Sequence, residues 1–460
     1  SHSQISYAVF CLKKKNSIYK RMEASRKPPP NKAIVAEVAD VLGRHAPPHA
    51  RLTLALSGGL DSVALLHALL ALRDLHPFEL QAVHVHHGLS PHADDWADFC
   101  GRLCATHAVE LAVHRVQIAR DDPAGIEAAA RRERQRIFAA LDVDFLLTAH
   151  HQDDQAETLL LQLLRGAGPK GLAAMAERQD QPGWHATQLR PLLSIPRAEL
   201  LRTAREQGLA WIDDESNRDT RYRRNALRQQ VMPLLAQHFP GSGRTLARAA
   251  ALQADAAELL DDLARLDARE AIAGDRLDCA ALARLSTVRA RNLLRHFIEQ
   301  HGQPMPSLRR LDEALHQLRD AHEDARVRVN LGQVELWRYR GGAYLVAPPP
   351  RWTEPIRWQG EAAIWVPAAG VSVRMDRASG TGLRQTALAA GDVTLGVRAG
   401  GEPLRLHAGG PRRSLKNLLQ EHGIPPWQRA RMPLMWCDGR LVWAAGIGFE
   451  ADLSAAPGEA

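Results

Sequence analysis

Ser57-Gly58-Gly59-Leu60-Asp61-Ser62 stands between an apolar run, Leu52 to Leu56, and a helix-like stretch that begins at Val63. A glycine-rich turn between a buried strand and a helix is suited to a phosphate. Two glycines let the backbone approach an anion, two serine hydroxyls can donate to it, and the helix start adds unpaired N–H groups and a positive dipole end. A carboxylate beside a polyphosphate repels it unless a cation lies between them, so Asp61 reads as a Mg²⁺ contact. No Gly-Lys-Ser/Thr follows, which excludes a Walker A loop. The second reactive stretch is His150-His151-Gln152-Asp153-Asp154-Gln155-Ala156-Glu157-Thr158. It sets Asp153 or Asp154 one helical turn from Glu157, on a shared face. Acids there serve as caps, and equally could order Mg²⁺ or bind and deprotonate an incoming amine. Zinc on His84, His86 and His87 is set aside, because a phosphate site calls for a hard, oxygen-liganded ion and no cysteine accompanies these histidines.

The elements around these residues alternate. Strand-like Leu52 to Leu56, Leu80 to His86, Leu111 to Ile118 and Phe145 to His150 are followed by helix-like Val63 to Leu75, Asp94 to His107, Ile126 to Leu141 and Ala156 to Leu164. This rhythm predicts an α/β fold with a parallel sheet, whose ligands lie beyond the carboxyl ends of the strands. The Ser57–Ser62 turn, His86-His87-Gly88 and His150 through Asp154 all fall at that edge. After Pro191 the pattern becomes helical, with Pro196 to Gln207, a basic stretch from Arg221 to Leu235, and a region from Gly243 to Asp320. Val327 to Val346 alternates around Gly341-Gly342 and predicts a β-hairpin. Pro348-Pro349-Pro350 is a break, and the remainder to Phe449 reads as strand-rich with one helix, Leu415 to Glu421.

The Ser57–Ser62 pattern resembles the PP-loop of the ATP pyrophosphatase superfamily, which adenylates substrates and releases pyrophosphate. Further along, His84-Val85-His86-His87-Gly88-Leu89, Ala130-Arg131-Arg132-Glu133-Arg134 and His150 through Gly171 together resemble the bacterial tRNA(Ile)-lysidine synthetase family. Asp214-Glu215-Ser216-Asn217, Tyr222-Arg223-Arg224-Asn225 and the stretch from Arg398 to Gly448 fit it too. Gln135 stands where that family usually has Tyr, and Glu215 where it has Pro. The resemblance implies an enzyme that uses ATP, Mg²⁺ and L-lysine to convert the wobble cytidine of the isoleucine tRNA with a CAU anticodon to lysidine. It implies Ser57, Gly58, Gly59, Leu60, Asp61, Ser62, His86 and His150 as nucleotide contacts, Asp61, Asp154 and Glu157 as catalytic groups, and Asp61 with Asp153 on the metal. For tRNA it points to Arg131 and Arg134, which could equally contact ATP phosphates, to Arg221, Tyr222, Arg224, Asn225 and Arg228, and to Arg412, Arg413, Lys416, Trp427 and Arg429. The division expected is a PP-loop catalytic domain over 32–238, a helical tRNA-binding domain over 239–325, a β-rich connecting region over 326–389 and a mixed α+β tRNA-binding domain over 390–460.

Composition is consistent with this reading. A chain of 460 residues is too long for one ordinary core, 45% hydrophobic content supports a globular protein, and a net charge of +7 favours a polyanionic partner. The five cysteines, Cys11, Cys100, Cys104, Cys279 and Cys437, are scattered and odd in number, as in reduced cytoplasmic proteins. Cys100 and Cys104 read as buried small hydrophobes, which weakens a rival PP-loop activity, tRNA thiolation, that needs reactive paired thiols. A small-metabolite synthetase would leave the basic helical and C-terminal stretches idle. A catalytically inactive RNA-binding protein would not be expected to keep Asp61, Asp153, Asp154 and Glu157. No apolar run is long enough to span a membrane. Residues 1–31 are expected to lie outside the fold, with 1–21 as an extension ahead of Met22, and a homodimer is one admissible assembly.

Overall fold

The computed structural model describes residues 32–455 apart from 120, 124, 216–218, 321–326, 349–353, 368 and 399. The expected N-terminal extension, Ser216 and Asn217 of the Asp214–Asn217 motif, and most of the Pro348–Pro350 break lie outside the described residues. The chain forms two units, 1–259 and 260–460.

In the first unit the order is α1 (Lys32–His45), β1 (Ala50–Ala55), α2 (Leu60–Leu72), β2 (Phe78–His86), α3 (Ala93–Thr106), β3 (Glu110–Arg115), α4 (Ile126–Ala139) and β4 (Phe145–Leu147). There follow α5 (Gln152–Leu163), α6 (Pro169–Leu172), β5 (Arg178–Gln179), β6 (Thr187–Leu189), α7 (Arg197–Glu206), α8 (Arg223–Ala226), a π turn (Leu227–Val231) and α9 (Met232–His238). The sheet runs β3-β2-β1-β4-β6-β5, parallel except for β5. The expected α/β architecture is therefore present. Apolar β1 is fully enclosed at Leu52 and Leu54, and α2 is apolar on every side, with Val63, Leu65, Leu66, Leu69 and Leu72 all buried. Such a helix is stable only as a core element, and it fixes the turn before it against the sheet.

Two features were not legible in the pattern. β5 and β6 are too short to show a period and exist through pairing with β4 and with each other. The basic stretch expected as one helix is divided by the π turn, just ahead of Pro233, whose ring cannot accept the regular path of the preceding carbonyls.

In the second unit, the hairpin Ile272–Ala273 and Arg276–Asp278 interrupts the stretch expected to be all helix. It joins the strands at Arg328–Asn330, Glu335–Tyr339 and Gly342–Val346 in one five-stranded sheet. One core, from Ala271 through Phe297 and Leu315 to Ala343, fills the space between this sheet and its helices. A boundary at 325/326 therefore cuts a single sheet and core. The boundary at 389/390 is crossed as well, because Ile356–Arg357 pairs with Val393–Gly396 in the C-terminal sheet. Within the connecting region the first strands belong to the middle sheet, Ile356–Arg357 to the C-terminal sheet, and Ala363–Val366 with Val371–Arg374 to a two-stranded sheet of their own. The last part also holds short helices at Gln385–Ala390 and Pro426–Arg429 beside the expected Leu415–Glu421.

Candidate active site

The Ser57–Ser62 turn leaves β1 and opens α2, as its residues require. Gly58 has φ +84°, and a Cβ there would lie 2.4 Å from Ile212 Cδ1 and 3.1 Å from Cys100 Sγ, so only glycine fits. Ile212, whose N–H donates to the Gly58 carbonyl at 2.9 Å, backs the turn from a loop that sequence reasoning did not single out. The serine hydroxyls, expected to face a phosphate, close the turn on itself here. Ser62 Oγ donates to the Gly59 carbonyl at 3.0 Å and lies 3.1 Å from Ser57 Oγ, which accepts from Gly59 N–H at 3.3 Å.

Asp61 sits in the first turn of α2 with a buried Oδ1 that has no hydrogen-bond partner among the described residues. Arg197 Nε approaches this oxygen no closer than 3.6 Å, and His151 Nε2 lies 3.7 Å from the other. Burial raises the Asp61 pKa, against the pull of His151 and Arg197. An orphaned hard oxygen carrying a costly buried charge fits a divalent cation such as Mg²⁺.

The second half of the site begins at His151, the N-cap of α5. His151 Nδ1 accepts from Asp154 N–H at 3.3 Å while Asp154 Oδ2 accepts from His151 N–H at 3.1 Å. With Nδ1 accepting, the proton of this fully buried imidazole sits on Nε2, 3.4 Å from Asp154 and 3.7 Å from Asp61. His151 thereby links the phosphate turn to the carboxylate helix. Sequence reasoning favoured its neighbour His150; the available signal was the capping position three residues before Asp154.

Asp154 and Glu157 do share a face, and both are buried. They are met by two arginines expected to touch tRNA. Arg228 donates to Glu157 at 2.6 and 2.8 Å and to Asp154 at 2.7 Å; Arg224 donates to Glu157 at 3.1 Å, Asp154 at 3.3 Å and Thr158 at 3.4 Å. Four-residue spacing across α8 and the π turn presents both guanidiniums to one side. Burial alone would raise Asp154, but His151, Arg224, His150 and Arg228 hold it below the usual carboxylate range. Arg224 and Arg228 are thus partners of the candidate catalytic acids in this structure. Asp153 also departs from expectation: its Oδ2 accepts from Arg197 N–H at 2.9 Å, capping α7, so it is engaged away from Asp61.

The other expected residues are more dispersed. His86, at the end of β2, contacts Asp94 at 3.2 Å and Arg115 at 3.3 Å. His150 is half-buried and meets Thr148 Oγ1 at 3.0 Å. Arg131 and Arg134 are exposed on α4. Arg221 pairs with Asp219, and Asn225 donates to the Asp219 carbonyl at 3.0 Å, with half-buried Tyr222 between them. Cys100 and Cys104 are buried, which pushes their thiols up to about 12 and about 11 and leaves no ready thiolate for sulfur chemistry.

In the second unit the expected tRNA contacts are largely taken by internal partners. Arg429 is buried and donates to the Ile424 carbonyl at 2.6 Å. Trp427 packs against Trp337, Tyr339 and Tyr344 with ring centroids 5.0–5.9 Å away. Arg413 pairs with Glu421, and Arg412 lies 3.6 Å from Glu450 and 3.8 Å from Asp452. Lys416 is exposed. The Arg429 guanidinium is thus turned inward onto a backbone carbonyl, away from a polyanion, while Trp427 is half-buried among its aromatic neighbours. Among the described residues no helix is long and apolar enough to cross a membrane.

Family models match three stretches: a PP-loop domain over residues 30–235, a TilS substrate binding domain over 277–344 and a TilS substrate C-terminal domain over 393–460. A tRNA(Ile)-lysidine synthase of Azoarcus sp. strain BH72 is 46% identical over 90% of this chain and 90% of its own length. One from Nitrosomonas europaea is 42% identical over 89% of this chain and 90% of its own. Among solved structures, the U34-tRNA thiolase NcsA from Methanococcus maripaludis is similar at 19% identity and a TM-score of 0.41, covering 48% of this chain and 76% of that one. With relatives of this identity aligned over nearly its whole length, the chain belongs to the tRNA(Ile)-lysidine synthase family.

Proposed function

We propose that the protein converts the wobble cytidine, position 34, of the minor isoleucine tRNA with a CAU anticodon to lysidine in the cytoplasm, consuming ATP and L-lysine and releasing AMP and pyrophosphate. The observation that supports this most directly is His151, whose Nε2 stands between Asp61 of the phosphate turn and Asp154 of the carboxylate helix. One cleft thereby offers a nucleotide site and an amine site, as the reaction requires.

The C2 carbonyl of cytosine is a poor electrophile, since its oxygen is a bad leaving group and the ring feeds electron density into it. Attack of O2 on the ATP α-phosphorus expels pyrophosphate and turns that oxygen into part of an AMP leaving group. The Ser57–Ser62 turn and the N-terminus of α2 hold the phosphates, with the serine hydroxyls turning from each other to the anion. A Mg²⁺ ion held by Asp61 would neutralise phosphate charge at this step. The lysine ε-amine then attacks C2, the C2–O2 bond breaks and AMP leaves. An ammonium cannot attack, so Asp154 or Glu157 binds it and accepts its surplus proton. Arg224 and Arg228 hold these acids oriented until the amine arrives, and with His151 and His150 they keep the Asp154 carboxyl below its usual range. On tRNA, Arg131 and Arg134 are exposed to meet phosphates, Tyr222 lies beside Arg221 to stack on an unpaired base, and Arg412 with Lys416 remain accessible in the C-terminal sheet region.

Incorporation of radiolabelled lysine into isoleucine tRNA tests the reading. Label should enter the tRNA only with ATP and only when cytidine occupies position 34; ATP-independent labelling, or none, overturns it.

A further inference from the structure

Behind the nucleotide edge of the sheet runs a chain of buried polar side chains that the reaction scheme does not use. Arg190, just after β6, is 5% exposed and has no carboxylate partner among the described residues. Its guanidinium donates to the Ala176 carbonyl at 2.6 Å, to Gln179 Oε1 at 2.8 Å and to Gln188 Oε1 at 2.7 Å. Gln188 Nε2 donates to Thr148 Oγ1 at 3.1 Å, and Thr148 Oγ1 lies 3.0 Å from His150 Nδ1. Thr148 and Gln188 are buried too.

The direction of the first two links is set by Arg190. A guanidinium only donates, so the Gln188 oxygen faces Arg190 and its NH₂ faces Thr148. Thr148 Oγ1 accepts from Gln188, and His150 Nδ1 is the one acceptor its own proton meets among the described residues, so the hydroxyl donates there. An imidazole whose Nδ1 accepts carries its proton on Nε2. We infer that Arg190, Gln188 and Thr148 are positioning residues that hold His150 as a neutral Nε2–H donor, aimed at an oxygen of the nucleotide phosphates during adenylation.

The head of the chain gives it the opposite sense from a carboxylate–histidine pair. A carboxylate on Nδ1 makes an imidazole a better base; a chain that starts at a buried cation makes it a poorer base and a stronger donor. The groups facing His150 agree. Burial pushes its pKa down to about 4, Arg190, Arg224 and Arg134 push the same way, and Asp154 on α5 opposes them. At neutral pH the ring is therefore uncharged and donates without adding a cation to the site. The inference rests on the nucleotide-site reading of His150, but the chain itself is a property of the free protein.

The near-isosteric Gln188→Glu tests it. A carboxylate accepts from Arg190 but cannot donate to Thr148, so Thr148 turns its hydroxyl to Glu and His150 must place its proton on Nδ1. Nitrogen NMR of ¹⁵N-histidine protein, with the signal assigned by its loss in His150→Gln, should show the proton on Nε2 in the wild type and on Nδ1 in Gln188→Glu. The rate of tRNA adenylation should fall roughly tenfold to hundredfold, the range for losing the partner that orients a histidine. KM for ATP should change by less than about threefold, as for an interaction that acts in the transition state. Thr148→Val, which breaks the link without a charge, should lower the rate in the same direction. A wild-type proton on Nδ1, a tautomer unchanged in Gln188→Glu, or an adenylation rate unaffected by either substitution overturns the inference. The tautomer is read without nucleotide or tRNA, so a wild-type protein that fails to adenylate tRNA would refute the proposed function separately.

Discussion

Two acid–arginine clusters, one in each unit, are built from the same residue types and end in opposite states. In the first, Asp154 and Glu157 are matched by Arg224 and Arg228, and His151 carries the cluster on to Asp61, whose Oδ1 has no hydrogen-bond partner among the described residues. In the second, fully buried Glu450 accepts from Arg405 N–H at 3.0 Å and from Arg440 at 2.6 Å, while Asp452 accepts from Arg440 at 2.8 Å and Arg405 at 3.1 Å. Arg412 completes that ring at longer range. The C-terminal cluster ties the corner where the last strand turns. The N-terminal one ends on a buried Asp61 oxygen that no described donor reaches within hydrogen-bond distance. Arginine-rich sequence is therefore a poor guide to nucleic-acid contact until it is known which guanidiniums already hold a carboxylate, since a buried ion pair is costly to break.

The largest expected effect is on the open cluster. Asp61→Asn should lower ATP-dependent pyrophosphate release by at least about a hundredfold, as loss of a transition-state charge contact does, with tRNA binding little changed. The same variant should raise Tm in cation-free buffer, because it removes a buried charge that burial disfavours, and Mg²⁺ with ATP should stabilise the wild type but not the variant. A lower Tm for Asp61→Asn would show that Asp61 is satisfied like Glu450, and the contrast would collapse.

Truncating the closed cluster should cost stability instead. Glu450→Ala removes the fully buried acceptor of Arg405 N–H and of Arg440, while the half-exposed arginines keep Asp452, a loss of roughly 1–3 kcal/mol, seen as early unfolding or protease sensitivity of the second unit. Pyrophosphate release should fall only as far as tRNA binding does. Between these lies Glu157→Gln, expected to slow lysine transfer more than adenylation when the two steps are followed separately. Equal loss of both steps would assign Glu157 to holding Arg224 and Arg228, a purely structural role like that of Glu450.

Smaller effects sharpen the distinction. Arg412→Ala with Lys416→Ala should flatten the slope of log tRNA affinity against log salt by roughly one per lost contact, without the destabilisation expected of Arg429→Ala. An unchanged slope would leave the C-terminal basic residues wholly structural. The pH dependence should be smallest. Arg440 holds Asp452 below its ordinary value of 3.8, so its contribution to stability is complete above that value and lost as pH falls through the lower folded pKa. Asp452→Asn should lose that small stabilisation already at neutral pH and so flatten the acid unfolding of the second unit in that window.

What the sequence determined by itself is what short spacing can encode. A strand, a Gly-Gly turn and an apolar helix in succession suffice to place Asp61 at a phosphate-binding edge, because each link is local and the covered sheet follows from the alternation. The shared face of Asp154 and Glu157 is likewise a matter of helical period. Tertiary structure decided the partners. Arg224 and Arg228 reach those acids across 67 to 74 residues of chain, His151 rather than His150 bridges the two halves of the cleft, and Ile212 makes Gly58 obligatory. It also decided that the hairpin at 272–278 pairs with strands some sixty residues later, and that Arg429 faces inward. None of these is written in a period, since an arginine or a two-residue strand carries no directional pattern. Its role is set by which surface the rest of the fold brings against it.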